Sequence, residues 1–91
     1  MPLTESVSFK AVLQKGNRIQ IPRLVRWQFK LEPTQILKIR VELGASYLDE
    51  EFLGCMNKDG RITIPKLIVN LLKEEEANLE GQVFRVTLNP P

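Results

Sequence analysis

The stretch Lys15-Gly16-Asn17-Arg18-Ile19-Gln20-Ile21-Pro22-Arg23-Leu24-Val25 returns later as Lys58-Asp59-Gly60-Arg61-Ile62-Thr63-Ile64-Pro65-Lys66-Leu67-Ile68. Every matched pair, from Lys15 and Lys58 onward, is 43 positions apart. The match reaches back to Phe9 and Phe52 and forward to Lys30 and Lys73. The second copy then carries a few extra residues, after which Leu31-Glu32-Pro33-Thr34-Gln35-Ile36-Leu37 is met by Leu79-Glu80-Gly81-Gln82-Val83-Phe84 with a gap at the turn. Self-similarity at a fixed spacing marks a duplicated structural unit. The copies cover about 7–43 and 50–88 within a single domain of 91 residues.

Each copy reads as strand, strand, helix, strand. Val7, Phe9, Ala11 and Leu13 alternate with other residues, so strands are expected at about 7–13 and 51–57. Lys15-Gly16-Asn17 and Lys58-Asp59-Gly60 are hairpin turns, where glycine supplies a positive φ. Alternating isoleucines give second strands at Arg18–Ile21 and Arg61–Ile64. Pro22 and Pro65 suit the opening of a helix, because their missing N–H would be unpaired there. Helices are expected at about 23–30 and 66–76, with Leu24, Val25 and Gln28 on one face and Leu67, Ile68, Leu71 and Leu72 on the other copy's face. Last strands follow at about 36–43 and 82–88, and the linker runs from Gly44 toward Glu51. One such unit leaves strand edges open. Two related by a pseudo-twofold axis can close an all-β, six-stranded barrel with two short helices.

Composition narrows the function. The chain is 43% apolar and 26% charged, the balance of a globular domain rather than a disordered one. It has no histidine, which removes the commonest general base and metal ligand, so no enzyme, cofactor or metal site is expected. Its one cysteine, Cys55, allows no internal disulfide. No apolar run approaches the roughly 18 residues of a membrane span. Met1-Pro2-Leu3-Thr4-Glu5 lacks the basic and apolar regions of a signal peptide, so a cytoplasmic address is expected. Charge is uneven. Residues 1–45 hold eight Lys and Arg against three Asp and Glu, and residues 46–91 hold five against eight. A basic first half suits a polyanion, and an acidic second half resists one.

The two quoted stretches resemble the signature of the SpoVT/AbrB-like family, a G-R-I-T-I-P-K-type run followed, after the helix, by an L-x-P-G-D-type turn that Leu31–Gln35 and Leu79–Gln82 resemble. The resemblance covers most of the chain in both copies. It implies a cradle-loop barrel in which both halves of the family's usual dimer sit in one chain, hence a monomer. Strand order stays open among swapped-hairpin, RIFT and double-psi arrangements. A barrel with no need to swap is preferred, and the RIFT type fits the length. The resemblance also implies a DNA-binding, transcription-regulator-like domain. Its motif arginine falls on Arg18 and Arg61, and its later helix arginine on Arg26. The second copy has Val69 at that last place, and Ala11 and Gly54 stand where the family often has an early basic residue.

The candidate phosphate contacts are therefore Lys15, Arg18, Arg23 and Arg26, grouped around one hairpin and helix start, with weaker help from Lys58, Arg61 and Lys66. Double-stranded DNA is the expected partner. The alternative is a protein-interaction barrel without DNA binding, favoured by the acidic second half. Arg18 and Arg61 also suit a structural role, bonding carbonyls within the barrel. Lys38, Arg40 and Arg85 are expected to face water from the barrel wall, Trp27 to pack against the barrel end, and Cys55 to be a small buried hydrophobe. Lys73-Glu74-Glu75-Glu76 and Asp49-Glu50-Glu51 read as solvated charge or as acidic lips toward a basic partner.

Overall fold

Alternation of apolar and polar residues builds the strands, and a proline immediately precedes each helix. The computed structural model describes residues 5–43, 49–72 and 81–90. In chain order the elements are β1 (Val7–Val12), β2 (Arg18–Gln20), α1 (Arg23–Gln28), β3 (Leu37–Leu43), β4 (Asp49–Gly54), β5 (Arg61–Thr63), α2 (Lys66–Leu72) and β6 (Val83–Asn89). The expected order of strand, strand, helix, strand therefore occurs twice. The boundaries move by a few residues. The residues read as the end of the linker, Asp49 to Glu51, are the start of β4. Expected helix positions 73–76, and the charge run there, lie outside the described residues.

The fold is β-rich, with two sheets. A four-stranded antiparallel sheet has the order β1-β6-β3-β4, and β2 pairs with β5 in a second, two-stranded sheet. Every ladder joins one half to the other: β1 to β6, β2 to β5, β3 to β4 and β3 to β6. Between the strands of one half, the described residues bond only at the hairpin bases. Gln14 N donates to the Arg18 carbonyl at 2.7 Å, and Asn57 N donates to the Arg61 carbonyl at 2.7 Å. These bonds also link the two sheets at their edges.

The registers obey a pseudo-twofold rule. Exchanging the halves turns Arg18 opposite Thr63 into Arg61 opposite Gln20, and leaves Ile19 opposite Ile62. It turns Lys38 opposite Asn89 into Arg85 opposite Glu42, and leaves Arg40 opposite Thr87. Phe9 opposite Val86 becomes Phe52 opposite Ile39. The sequence repeat is thus a repeat of pairing geometry.

The core lies between the sheets. Ile19, Ile21, Ile62 and Ile64 come from the hairpin strands, and Leu37, Ile39, Val41, Phe84, Val86 and Leu88 from the larger sheet. The described residues bury no charged or polar residue. Burying each of these apolar side chains stabilises the fold by about 1.5–3 kcal/mol before entropy is counted.

The helices differ. In α2, Val69 and Leu72 are buried and Ile68 is half-buried, while Leu67 and Leu71 point outward. In α1 nothing is buried; Val25 and Phe29 rest half-covered on the core. The expected faces are therefore split: Val25, Ile68 and Leu72 turn inward, while Leu24, Gln28, Leu67 and Leu71 of the same faces are exposed. α1 ends at Gln28 because Lys30 takes a positive φ of 52°. Leu31 N then donates to the Arg26 carbonyl at 3.0 Å and Lys30 N to the Trp27 carbonyl at 3.3 Å. That is a Schellman turn, and buried Leu31 anchors it.

Candidate nucleic-acid interface

The candidate cations sit on the hairpin tips and the helix starts, and the fold crosses the two. Ile21 N donates to the Gly60 carbonyl at 2.9 Å, which sets the start of α1 beside the second hairpin. Ile64 N donates to the Asn17 carbonyl at 2.7 Å, which sets the start of α2 beside the first. Arg23 and Arg26 therefore belong with Lys58, and Lys66 with Lys15 and Arg18. The sequence reading had grouped Arg23 and Arg26 with the first hairpin; the pairing of β2 with β5 separates them. Each group of cations is assembled across the halves.

Arg26 is the most constrained of the set. Its guanidinium lies against the Gly60 backbone, where a Cβ would have no room. Gly60 is buried and has a φ of +83°. Arg26 Nε is buried and meets no acceptor among the described residues. At the equivalent places in the other half stand Asn17, with a φ of 59°, and Val69. A bare glycine faces the long arginine, and a shorter valine occupies the matching place opposite asparagine.

Arg18 and Arg61 turn back into the protein. Arg18 Nε donates to the Lys15 carbonyl at 3.3 Å, bracing its own hairpin. Arg61 Nε donates to Gln14 Oε1 of the other half at 3.0 Å, and its Nη1 reaches Asp59 Oδ2 at 2.7 Å. Asp59 thus offsets the Arg61 charge locally. Lys15, Arg23, Lys58 and Lys66 are exposed and pair with no carboxylate among the described residues.

The outer face of the larger sheet is different. Lys38, Arg40 and Arg85 do face water, as the alternation required. But β4 brings acids beside them. Lys38 Nζ is 3.4 Å from Glu51, and Arg40 Nε donates to Asp49 Oδ2 at 2.8 Å. The Asp49 hydrogen bond, with its charge, raises the Arg40 guanidinium above its ordinary value. Asp49 and Glu51 are thus cross-strand partners within the sheet. This leaves Lys38 and Arg40 poorly placed as phosphate contacts.

Two expectations about apolar residues fail. Trp27 is 78% exposed and does not pack against the fold, because the inward side of α1 and its C-cap is taken by Val25 and Phe29. Leu24 beside it is 74% exposed. Cys55 is exposed rather than buried. It matches Val12, itself exposed, and both fall on the outer side of an alternation whose inner members are Leu13 and Met56. Apolar character alone did not separate the two sides of those strands.

No helix among the described residues is long and apolar enough to cross a membrane. No protein-family model matches the chain, and no characterised protein matches it in sequence. The chain is similar in structure to PHS018 from Pyrococcus horikoshii, known from its solution structure. The TM-score is 0.77 at 21% identity, over 99% of this chain and 92% of that one. At that identity the likeness is one of fold.

Proposed function

We propose that the chain is a DNA-binding, transcription-regulator-like domain of the SpoVT/AbrB-like kind, built as a monomeric pseudo-dimer. The observation that supports this best is the crossing of helix starts and hairpins, which brings Arg23 and Arg26 beside Lys58, and Lys66 beside Lys15. Phosphate contacts fix such a domain on a duplex and carry most of its affinity. Lys15, Arg23, Arg26, Lys58 and Lys66 supply them in this reading, while Arg18 and Arg61 mainly hold the hairpins in shape. The finer architecture we propose is a cradle-loop barrel, with the ring β1-β6-β3-β4-β5-β2 closed at the hairpin bases by the Gln14 and Asn57 bonds. No catalytic role is proposed, and the address in this reading is cytoplasmic.

The test is a fluorescence-anisotropy titration with random-sequence duplex DNA at two salt concentrations. Engaging some four phosphates predicts a loss of roughly 10²-fold in affinity between about 50 and 200 mM salt. Arg23→Ala with Lys58→Ala should weaken binding without altering the fold, since both side chains are exposed. No binding at low salt and tens of micromolar protein would overturn the reading. The second reading is a protein-interaction module. Its support is the offsetting of Arg61, Arg40 and Lys38 by Asp59, Asp49 and Glu51, and the exposed Leu24, Trp27, Leu67 and Leu71.

A further inference from the structure

Trp27 is the one tryptophan of the chain, and the fold leaves it outside. An exposed tryptophan costs solvation free energy that burial would recover, so its surroundings matter. On α1 the outward residues are Arg23, Leu24, Trp27 and Gln28. Arg23 stands one turn before Trp27, and Lys30 follows in the Schellman turn. Lys58 lies on the adjoining hairpin. From Ser6 to Leu31 the sequence carries Lys10, Lys15, Arg18, Arg23, Arg26 and Lys30 and no acidic residue. The apolar patch thus shares its helix with cations and no carboxylate; of the nearby acids, Asp59 on the adjoining hairpin is paired with Arg61, and Glu32 follows the turn.

We infer that Trp27 is a stacking platform for an unpaired nucleobase, with Arg23, Lys30 and Lys58 holding the flanking phosphates. This rests on the DNA-binding reading and extends it from duplex backbone to single-stranded or locally opened nucleic acid. Charge complementarity decides the occupant. A nucleic acid brings both an aromatic face for the indole and a phosphate chain for the cations. An apolar or acidic protein segment would match only one of the two. The second half cannot duplicate the site, because Asn70 and Val69 replace Trp27 and Arg26. One platform per chain follows.

The lone tryptophan makes the site directly observable. The full chain is titrated with oligothymidylate of about twelve nucleotides and with duplex DNA, at about 50 mM salt. Indole fluorescence and the anisotropy of a labelled strand are both followed. The expected result is quenching of the indole by the single strand, saturating at one strand per chain. Trp27→Ala should weaken single-strand binding roughly ten- to a hundred-fold, the range one base stack supplies. Trp27→Phe should retain most of the affinity, measured by anisotropy. Both variants should melt like the parent, since the side chain is exposed. Single-strand binding without quenching, or single-strand binding unaffected by Trp27→Ala, overturns the platform, and duplex binding in that case leaves the duplex reading standing. Failure to bind either nucleic acid overturns both, and turns attention to a protein occupant for Leu24 and Trp27.

Discussion

Arg26 of the first half and Gly60 of the second meet across the pseudo-twofold seam. A Cβ on Gly60 would stand 2.5 Å from Arg26 Cζ and 2.7 Å from its Cδ, at a backbone φ of +83°. Gly60→Ala therefore both strains the backbone and displaces the arginine. The expected loss of stability is about 2 kcal/mol, of which the positive φ accounts for about 1–2. Gly81, with a φ of +85° and nothing near its Cβ position, is the internal control. Gly81→Ala should show only the backbone part. In an Arg26→Ala background, Gly60→Ala should fall to the Gly81→Ala cost. Urea denaturation of the four chains checks this.

Arg61 and Arg18 occupy the same place in the repeat and should differ in effect. Arg61 joins the halves through Gln14 and offsets Asp59. Arg18 reaches only the Lys15 carbonyl of its own turn, at 3.3 Å. Arg61→Ala should cost about 1 kcal/mol, and Arg18→Ala a few tenths, by equilibrium unfolding. Equal costs would contradict the assignment of Arg61 to the seam.

Among the described residues no ladder lies within one half, so neither half has a sheet of its own there. Peptides covering residues 1–45 and 46–91 should each lack a cooperative thermal transition. Mixed at equal concentration, they should regain β-sheet circular dichroism, because all four ladders form between halves. A cooperative transition in either peptide alone would show that the halves are independent units.

Lys30 holds a left-handed conformation that glycine adopts freely. Lys30→Gly should raise stability by a few tenths to about 1 kcal/mol, the relief of αL strain less the entropy of the glycine. Thermal melting checks it, and a loss would show that the Lys30 side chain contributes to the helix end.

The repeat of β-β-α-β was legible because its signals are local. Asp59-Gly60 marks a turn, Ile62 and Ile64 alternate, and Pro65 opens a helix without reference to the rest of the chain. The crossing was not legible. That Ile21 bonds Gly60, and so carries Arg23 and Arg26 to the other hairpin, depends on strand pairing between halves, which no local pattern encodes. The outward positions of Trp27 and Cys55 were missed for a related reason. A helix as short as α1 offers apolar residues on several sides, and only the core decides which are taken. Asn17 and Gly60 did carry a usable hint. They break the repeat as Arg26 and Val69 do, and Gly60 and Arg26 lie in contact across the seam.

The central claim is that phosphates meet the crossed hairpin and helix surface. Backbone amide chemical-shift mapping of the full chain with duplex DNA tests it most directly. The account predicts that shifts concentrate at residues 14–18, 23–30 and 57–61, together with Lys66, and spare the salt-bridged β3 and β4 face around Arg40 and Asp49. Largest shifts on that β3 and β4 face, or none anywhere at low salt, would contradict it.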